Sequence, residues 1–447
     1  MSLVPESDRS RPQYTPTPRE LDDVELLRMG VLSPLEGFEG ADGDVTLAVP
    51  DELVAWARER DGLEITDPEG VPLAIVSIDD TYSAGGSLTG IVGEVRALPG
   101  AVRRAFAHRY VTPSESRTRL PASTVTIPVD APLTDGDVDT ITRLYGDRPL
   151  LFVALAGAGS PRGLSGPGLV RATIAGASCF HDAVVIAVPA AVRGNESHDL
   201  DFRRRVVAAY APGEVVHWPE GDGPMSETVA AVVAEDRPGG LEQGVVVFFT
   251  GLSGSGKSTL AQALTNTLVE TGSRTVSLLD GDIVRRNLSK GLTFSREDRE
   301  ANIERIGWVA AEIARHGGLA ICSPIAPFDR TRKTARAMAD DVGAAFVLIH
   351  VATPLEECER RDRKGLYAKA RRGEIEHFTG ISSPYEVPVD ADLTFDTTGR
   401  SVDEILDEIL AYLVERGWLP AAQRSSDRVG SDRVAADRVG SFTQGAT

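Results

Sequence analysis

Between Val245 and Leu264 the chain reads VVVFFTGLSGSGKSTLAQAL, and within that run Gly251, Gly254, Gly256, Lys257 and Ser258 stand in the pattern GxxGxGKS. Glycines so spaced let successive backbone N–H groups curl around a phosphate at a helix N-terminus, where the helix dipole favours negative charge. An apolar β-branched run precedes the loop and a helix-compatible stretch follows it, the context a P-loop requires. Lys257 is placed to bridge the β- and γ-phosphates of ATP and Ser258 to ligate Mg²⁺, while Ser253, Ser255 and Thr259 complete the ATP-binding loop. Further on, Asp280 and Asp282 flank a glycine at the carboxyl end of the next expected strand, where ligands bind in open α/β sheets. A carboxylate there can orient Mg²⁺ through water or take the proton of an attacking hydroxyl. The sequence does not divide these roles between the two aspartates. Asp282 is the favoured base and, with Ser258, the expected metal pair; an N-cap before Ile283 is its structural alternative.

A P-loop does not name the acceptor. After it come LLDGDIVRRNL, LTFSREDREANIERIG, ICSPIAPFDRTR and TPLEECERRDRKGLYAKARRGEIEHFTGISSPYEVP, and with these motifs residues 244–416 resemble adenylylsulfate kinase. The resemblance implies transfer of the γ-phosphoryl group of MgATP to the 3′-hydroxyl of adenosine 5′-phosphosulfate (APS), giving 3′-phosphoadenosine 5′-phosphosulfate and ADP in sulfate activation. It implies Lys257, Asp280 and Asp282 as catalytic residues. It also implies Arg285, Phe294, Arg299, Asn302, Ile325, Lys364 and Phe378 as APS-binding residues, with the two phenylalanines sandwiching the adenine. Arginine suits a phosphosulfate because its planar fork holds two anionic oxygens at once. Asp298 follows Ser295 at capping-box spacing and is expected to cap a helix. Arg360, Arg361, Arg363, Lys364, Lys369, Arg371 and Arg372 make a local anion site in an acidic chain, and in the family this region is a mobile lid that excludes water. One departure bears on mechanism. Many members carry a phosphorylatable serine in the pattern ISP where this chain has Ile325-Ala326-Pro327. Alanine has no hydroxyl, so direct in-line transfer is expected. Ser323 reads as a strand-end residue.

The elements that must position these groups form an α/β unit over 244–418. Strands are expected at Val245–Thr250, Thr275–Asp280, Leu319–Ser323, Ala345–Val351 and Leu393–Asp396. Between them lie helical patterns, the clearest at Arg296–Arg315, where Ile303, Ile306, Ala310 and Ile313 recur at three and four. A last helix from Val402 to about Arg416 closes the unit.

Upstream, residues 1–20 are polar and proline-rich and read as a disordered leader. Short β-like runs such as Leu73–Ile78 make 21–120 a β-rich module. Its segment Leu26–Phe38, LLRMGVLSPLEGF, resembles the start of ATP sulfurylase, whose N-terminal module has a PUA-like β fold. Apolar runs at Leu150–Ala156 and Ala183–Val188 alternate with helical stretches at Gly168–Ala177 and Asp201–Tyr210, so 121–235 reads as an α/β domain with parallel strands, loosely sulfurylase-like. The stretch Trp218–Gly240 has linker composition, and 236–243 is the expected junction. Sulfurylases hold ATP with QxRN and an HxxH pair. His108, His181, His198 and His217 have no such spacing and QxRN does not occur, so the upstream region is expected to lack sulfurylase activity and to serve assembly, stability or regulation. A bifunctional sulfurylase and kinase, and a nucleotide-gated scaffold, are the alternatives. The resemblance also implies self-association into a homo-oligomer.

With 42% hydrophobic and 25% charged residues in 447, the chain has the composition of a folded protein of two or three domains. Its net charge of −19 repels polyanions, which argues against nucleic acid as a partner. The N-terminus lacks an apolar signal core and the most apolar stretch, Ala183–Val192, contains Pro189, so no membrane span is expected. Cys179, Cys322 and Cys358 form no CxxC pair, which fits a reducing cytoplasm. A five-residue DRVGS, DRVAA, DRVGS repeat over Asp427–Ser441 matches neither a helix nor a strand, and 419–447 is expected to be a disordered tail.

Overall fold

The computed structural model describes residues 11–99, 105–159, 164–193, 196–216, 223–293, 295–375 and 377–421. The DRVGS repeat lies outside these residues. The chain divides into two units at Arg237/Pro238.

The first unit begins earlier than its composition suggests. Strand β1 (Gln13–Tyr14) pairs with β4 (Leu63–Thr66), and helix α1 (Pro18–Arg28) starts inside the expected leader. Thr17 accepts from the Glu20 backbone while the Glu20 side chain accepts from the Thr17 backbone, and Pro18 occupies the first helical turn. The proline and hydroxyl residues taken as signs of disorder are thus a capping box and an N-terminal helix proline. A largely antiparallel sheet follows: β2 (Gly37–Phe38), β3 (Leu47–Pro50), β5 (Pro72–Val76), β6 (Asp80–Gly85) and β7 (Leu88–Ala97), with helix α2 (Asp51–Glu59) after β3. Its order is β1-β4-β5-β7-β2, and β3 and β6 also pair with β7.

After helix α3 (Pro113–Arg119), strands β8 (Val125–Val129), β9 (Leu150–Leu155) and β10 (Ala183–Val188) form a parallel sheet in the order β10-β9-β8. Helices α4 (Asp135–Tyr145), α5 (Gly166–Ala177), α6 (Glu196–Tyr210) and α7 (Glu227–Asp236) complete the unit. Residues 21–120 and 121–235, expected as two modules, share one core: Val24, Leu47 and Ile91 cluster with Val153, Phe202 and Tyr210. A buried ion pair spans the same division, with Arg193 donating to the Asp23 carboxylate and stacking over the Phe202 ring at 3.9 Å. Most of the segment 223–236, read as linker, is α7. Asp236 at its end accepts from Ser165 N at 2.7 Å and Ser165 Oγ at 2.5 Å, so acidic residues that looked like solvated linker are anchors.

The second unit is a five-stranded parallel sheet of β11 (Val245–Thr250), β12 (Val276–Leu279), β13 (Leu319–Cys322), β14 (Ala345–Val351) and β15 (Leu393–Phe395), in the order β12-β13-β11-β14-β15. The central strands β11, β13 and β14 are buried at every position, as a sheet covered on both faces requires. Helices α8 (Lys257–Thr271) and α14 (Val402–Glu415) cover one face. Helices α10 (Arg296–Arg315) and α11 (Asp329–Asp341) cover the other. α10 and α11 meet at Gly307, where a Cβ would lie 2.9 Å from the Ala335 Cβ. Short helices α9 (Gly281–Asn287), α12 (Leu355–Arg361) and α13 (Leu366–Arg371) extend from the carboxyl edge of the sheet, where the chemistry-bearing motifs lie.

Candidate active site

β11 ends at Thr250 and the chain turns through Gly251, Gly254 and Gly256 at φ of +145°, +77° and +109°. At Gly251 a Cβ would lie 2.4 Å from the Val351 carbonyl oxygen, so both conformation and space demand glycine. α8 opens directly from this loop with no side-chain cap, leaving N–H groups of its first turn directed at the loop mouth. Lys257 is its first residue and is 6% exposed. Its Nζ donates to the Leu252 carbonyl at 2.7 Å and to Ser255 Oγ at 3.5 Å. Burial pulls the ammonium down to about 8, with Cys358 and Asp280 opposing the shift and Lys364 adding to it. The loop is braced from outside. Tyr367 OH donates to the Ser253 carbonyl at 2.8 Å, and Thr353 and Thr397 hydroxyls donate to the Ser255 carbonyl at 2.9 and 3.0 Å. Ser258 and Thr259 lie exposed on the first turn.

Asp280 follows β12, and its Oδ2 accepts from Ser258 Oγ at 2.9 Å and from Ser323 Oγ at 3.0 Å. This carboxylate therefore joins the P-loop helix to the ends of two strands. Ser323, read as a strand-end residue, has this further contact, which its position beside β12 in the sheet order creates and local sequence could not signal. Asp282 lies on α9; its side chain is outside the described residues, as is Phe294. The Ser258 hydroxyl and Asp280 carboxylate are a hard-oxygen pair that fits Mg²⁺, an ion that keeps several waters and nucleotide oxygens in its shell.

Across the site, Arg299 on the second turn of α10 spreads over the segment 377–383. Its Nη1 donates to Thr379 Oγ1 at 3.2 Å and to the His377 carbonyl at 3.3 Å, and its Nη2 donates to Ser383 Oγ at 3.2 Å. That segment walls a cleft of about 500 Å³ lined by Leu252 and residues 380–385. Asn302, one turn further along α10, is 4% exposed, and its Oδ1 has no hydrogen-bond partner among the described residues. A buried acceptor left unmatched is uncommon in native folds and marks a place for a donor. Arg285 Nη1 donates to the Thr293 carbonyl at 3.1 Å. Asp298 N donates to Ser295 Oγ at 3.1 Å, so Ser295 is the cap, while the Asp298 carboxylate receives the Thr293 N–H at 2.6 Å and Ser295 N donates to Thr293 Oγ1 at 3.2 Å, which leaves the expected capping box half made. Phe378 meets Tyr367 edge-on with ring centroids 5.0 Å apart.

Ile325 contributes main chain: its carbonyl receives Thr250 Oγ1 at 2.7 Å and Gly251 N at 3.4 Å. Ala326 is fully buried at φ +44°, with its carbonyl receiving Arg332 Nη1 at 2.9 Å. Tyr385 was missed by sequence reasoning. Its hydroxyl meets Thr250 Oγ1 at 3.0 Å and its ring stacks on buried His350 with centroids 5.8 Å apart. The basic stretch 360–372 is less free than its composition implied. Arg360 and Arg361 pair with Glu357, Arg371 with Glu359 and Arg372 with Glu374. Acids flanking the stretch in sequence neutralise four of its seven cations. Lys364 lies in the turn between α12 and α13 and its charge reaches Lys257.

A parallel sheet with a glycine loop and a buried lysine at its carboxyl edge, opposite an arginine-walled cleft, defines a P-loop phosphotransferase. Residues 243–396 match the sequence profile of the family described as Adenylylsulphate kinase. The "Hexameric APS kinase from Thiobacillus denitrificans" is 28% identical with a TM-score of 0.64, over 92% of this chain and 94% of that one. The "Mycobacterium tuberculosis APS kinase CysC in complex with AMPPNP and APS" is 45% identical over 38% of this chain and 98% of that one, with a TM-score of 0.37. The second unit therefore carries an adenylylsulfate kinase domain, the domain of an ATP-dependent kinase. Curated relatives named "Sulfate adenylyltransferase" also match: that of Neosartorya fischeri is 45% identical over 231 residues, covering 52% of this chain. That of Aspergillus terreus is 44% identical over 232 residues. The chain spans 39% of the length of each. Their name gives no support to the expectation that sulfurylase activity is lacking. Among the described residues no helix is long and apolar enough to cross a membrane.

Proposed function

We propose that the second unit transfers the γ-phosphoryl group of MgATP to the 3′-hydroxyl of APS, giving 3′-phosphoadenosine 5′-phosphosulfate and ADP in sulfate activation. The observation that carries this reading is the pairing of Ser258 with Asp280 beside Lys257, opposite a wall where Arg299 and the unmatched Asn302 Oδ1 await an anionic, hydroxyl-bearing acceptor. Gly251–Thr259 cradle the triphosphate, and Lys257 neutralises charge gathering on its outer oxygens. Ser258, with Asp280 and Asp282, would hold Mg²⁺, which supplies charge neutralisation on the transferred group. One aspartate of the DGD motif takes the proton of the attacking hydroxyl as the bond to phosphorus forms. Arg285, Arg299, Asn302, Ile325 and Lys364 position the acceptor, and Phe294 and Phe378 hold its adenine. Closure of 360–372 excludes water that would otherwise hydrolyse ATP. Ala326, where no hydroxyl exists, supports direct in-line transfer with no phosphoenzyme at that position.

The experiment is ADP release from ATP with and without APS, with products resolved by chromatography. Strictly APS-dependent turnover with the 3′-phosphorylated product is expected; turnover indifferent to APS, or none, rejects the reading.

For the first unit the sequence favours a role in assembly, stability or regulation. The relatives' name supports a second reading, a bifunctional sulfurylase and kinase. Pyrophosphate-dependent formation of ATP from APS decides between them. We also propose self-association, supported by the hexameric relative, and a cytoplasmic setting, supported by three free cysteines, two of them buried.

A further inference from the structure

Helix α10 has two sides. Ile303, Ile306, Ala310 and Ala314 pack beneath the sheet. The other side carries Ala301, Glu304, Arg305, Trp308, Glu312 and Arg315, which recur at helical spacing along one stripe. Trp308 is 59% exposed and Leu288 beside it 44%. Adjoining the indole is a groove of about 350 Å³ lined by Leu288, Ala301, Glu304, Arg305, Trp308 and Met338. A projecting indole and an apolar recess in one patch give that patch a shape complementary to itself, the property a two-fold contact demands.

The charges obey the same symmetry. Consider α10 laid antiparallel on a second copy of itself about an axis between Trp308 and Val309. Arg305 then opposes the other copy's Glu312, and Glu312 opposes the other copy's Arg305. Glu304 and Arg315 meet within about two residues of register, roughly 3 Å along the axis, a gap their long side chains span. Opposite signs face each other at both pairs. Within one copy these groups hold only exposed or half-exposed partners: Arg305 with the Leu288 carbonyl at 3.0 Å, Arg315 with Glu312 at 3.0 Å, and Arg330 with Glu304 at 3.4 Å. They are free to exchange at little cost. We infer that this face of α10 is a pairing surface for a second copy of this chain, an inference that rests on the self-association proposed above and assigns it a location. Trp308 supplies the affinity, as a central aromatic in a desolvated groove does; the charge pairs set the register.

Sedimentation velocity of the full chain over micromolar concentrations tests this. The wild type is expected to self-associate, and more strongly as salt screens the net charge of −19. Trp308→Glu should raise the dissociation constant of the pairing step at least about tenfold, with an unchanged far-ultraviolet circular dichroism spectrum because the side chain is exposed within one copy. Arg305→Glu and Glu312→Arg should each weaken pairing, and the two together should recover it. A monomeric wild type overturns the inference together with self-association itself. An oligomeric wild type with an unaffected Trp308→Glu variant overturns the surface alone. A double charge variant no tighter than either single does the same, independently of the tryptophan.

Discussion

Lys257 occupies a position that disfavours its own charge. Its ammonium is held near 8 by burial against an ordinary 10.5. Below about pH 8 both folded and unfolded chains carry the proton and the penalty is present in full. Between about 8 and 10.5 the unfolded chain keeps a proton that the folded chain has released, so this group's contribution to stability rises with pH. Lys257→Met should therefore be more stable than wild type at neutral pH, by up to about 3 kcal/mol. That advantage should vanish by about pH 10.5, as read from denaturant midpoints across the window. Turnover with ATP and APS should be abolished in the same variant and in Lys257→Ala, and in the wild type the KM for ATP should climb as pH rises past 8. A second residue-scale expectation concerns Tyr385, whose hydroxyl supports Thr250 and through it the Ile325 carbonyl. Tyr385→Phe should cost about 1 kcal/mol of stability and raise the KM for APS several-fold, with kcat nearly unchanged, in steady-state assays.

At the scale of elements, α10 and α11 touch where Gly307 leaves 2.9 Å for an absent Cβ. Gly307→Val should part the two helices and destabilise the unit by about 1–3 kcal/mol, seen as a lowered urea midpoint with an unchanged slope. Legibility from sequence followed local physics. β11 and β14 were expected at the residues where they lie, and so was α10, because a buried parallel strand is a continuous apolar run and a covering helix repeats at three and four. The P-loop was legible for the same reason: it is contiguous. What escaped were relations between distant segments. The Asp280–Ser323 contact needs β12 and β13 as neighbours. Tyr385 acts through Thr250, 135 positions away. The neutralised arginines of 360–372 looked free because composition counts charges without saying which way the flanking glutamates turn. Helix α1 was hidden by prolines that served it as a start signal.

At the scale of the whole molecule, the two units hold separate cores, so residues 238–421 alone should fold and retain APS-dependent turnover within a few-fold. Loss of a cooperative thermal transition in that fragment would refute this. The first unit coheres across its two halves through Asp23 and Arg193, both nearly inaccessible. Asp23→Ala should leave a buried cation unmatched and cost about 3–5 kcal/mol, visible as a separate early transition in calorimetry while the kinase transition stays in place.

The two ends of the second unit are stitched together. Trp418 Nε1 donates to Gln243 Oε1 at 2.8 Å, and Arg274 donates to the carbonyls of both Gln243 and Trp418. A chain that leaves where it enters is a cassette: it can be spliced onto an unrelated host through one short seam without stretching either. It can also be cut open elsewhere. A circular permutant that links Trp418 to Gln243 by a few glycines and opens at the exposed turn Gly272-Ser273 should keep its fold.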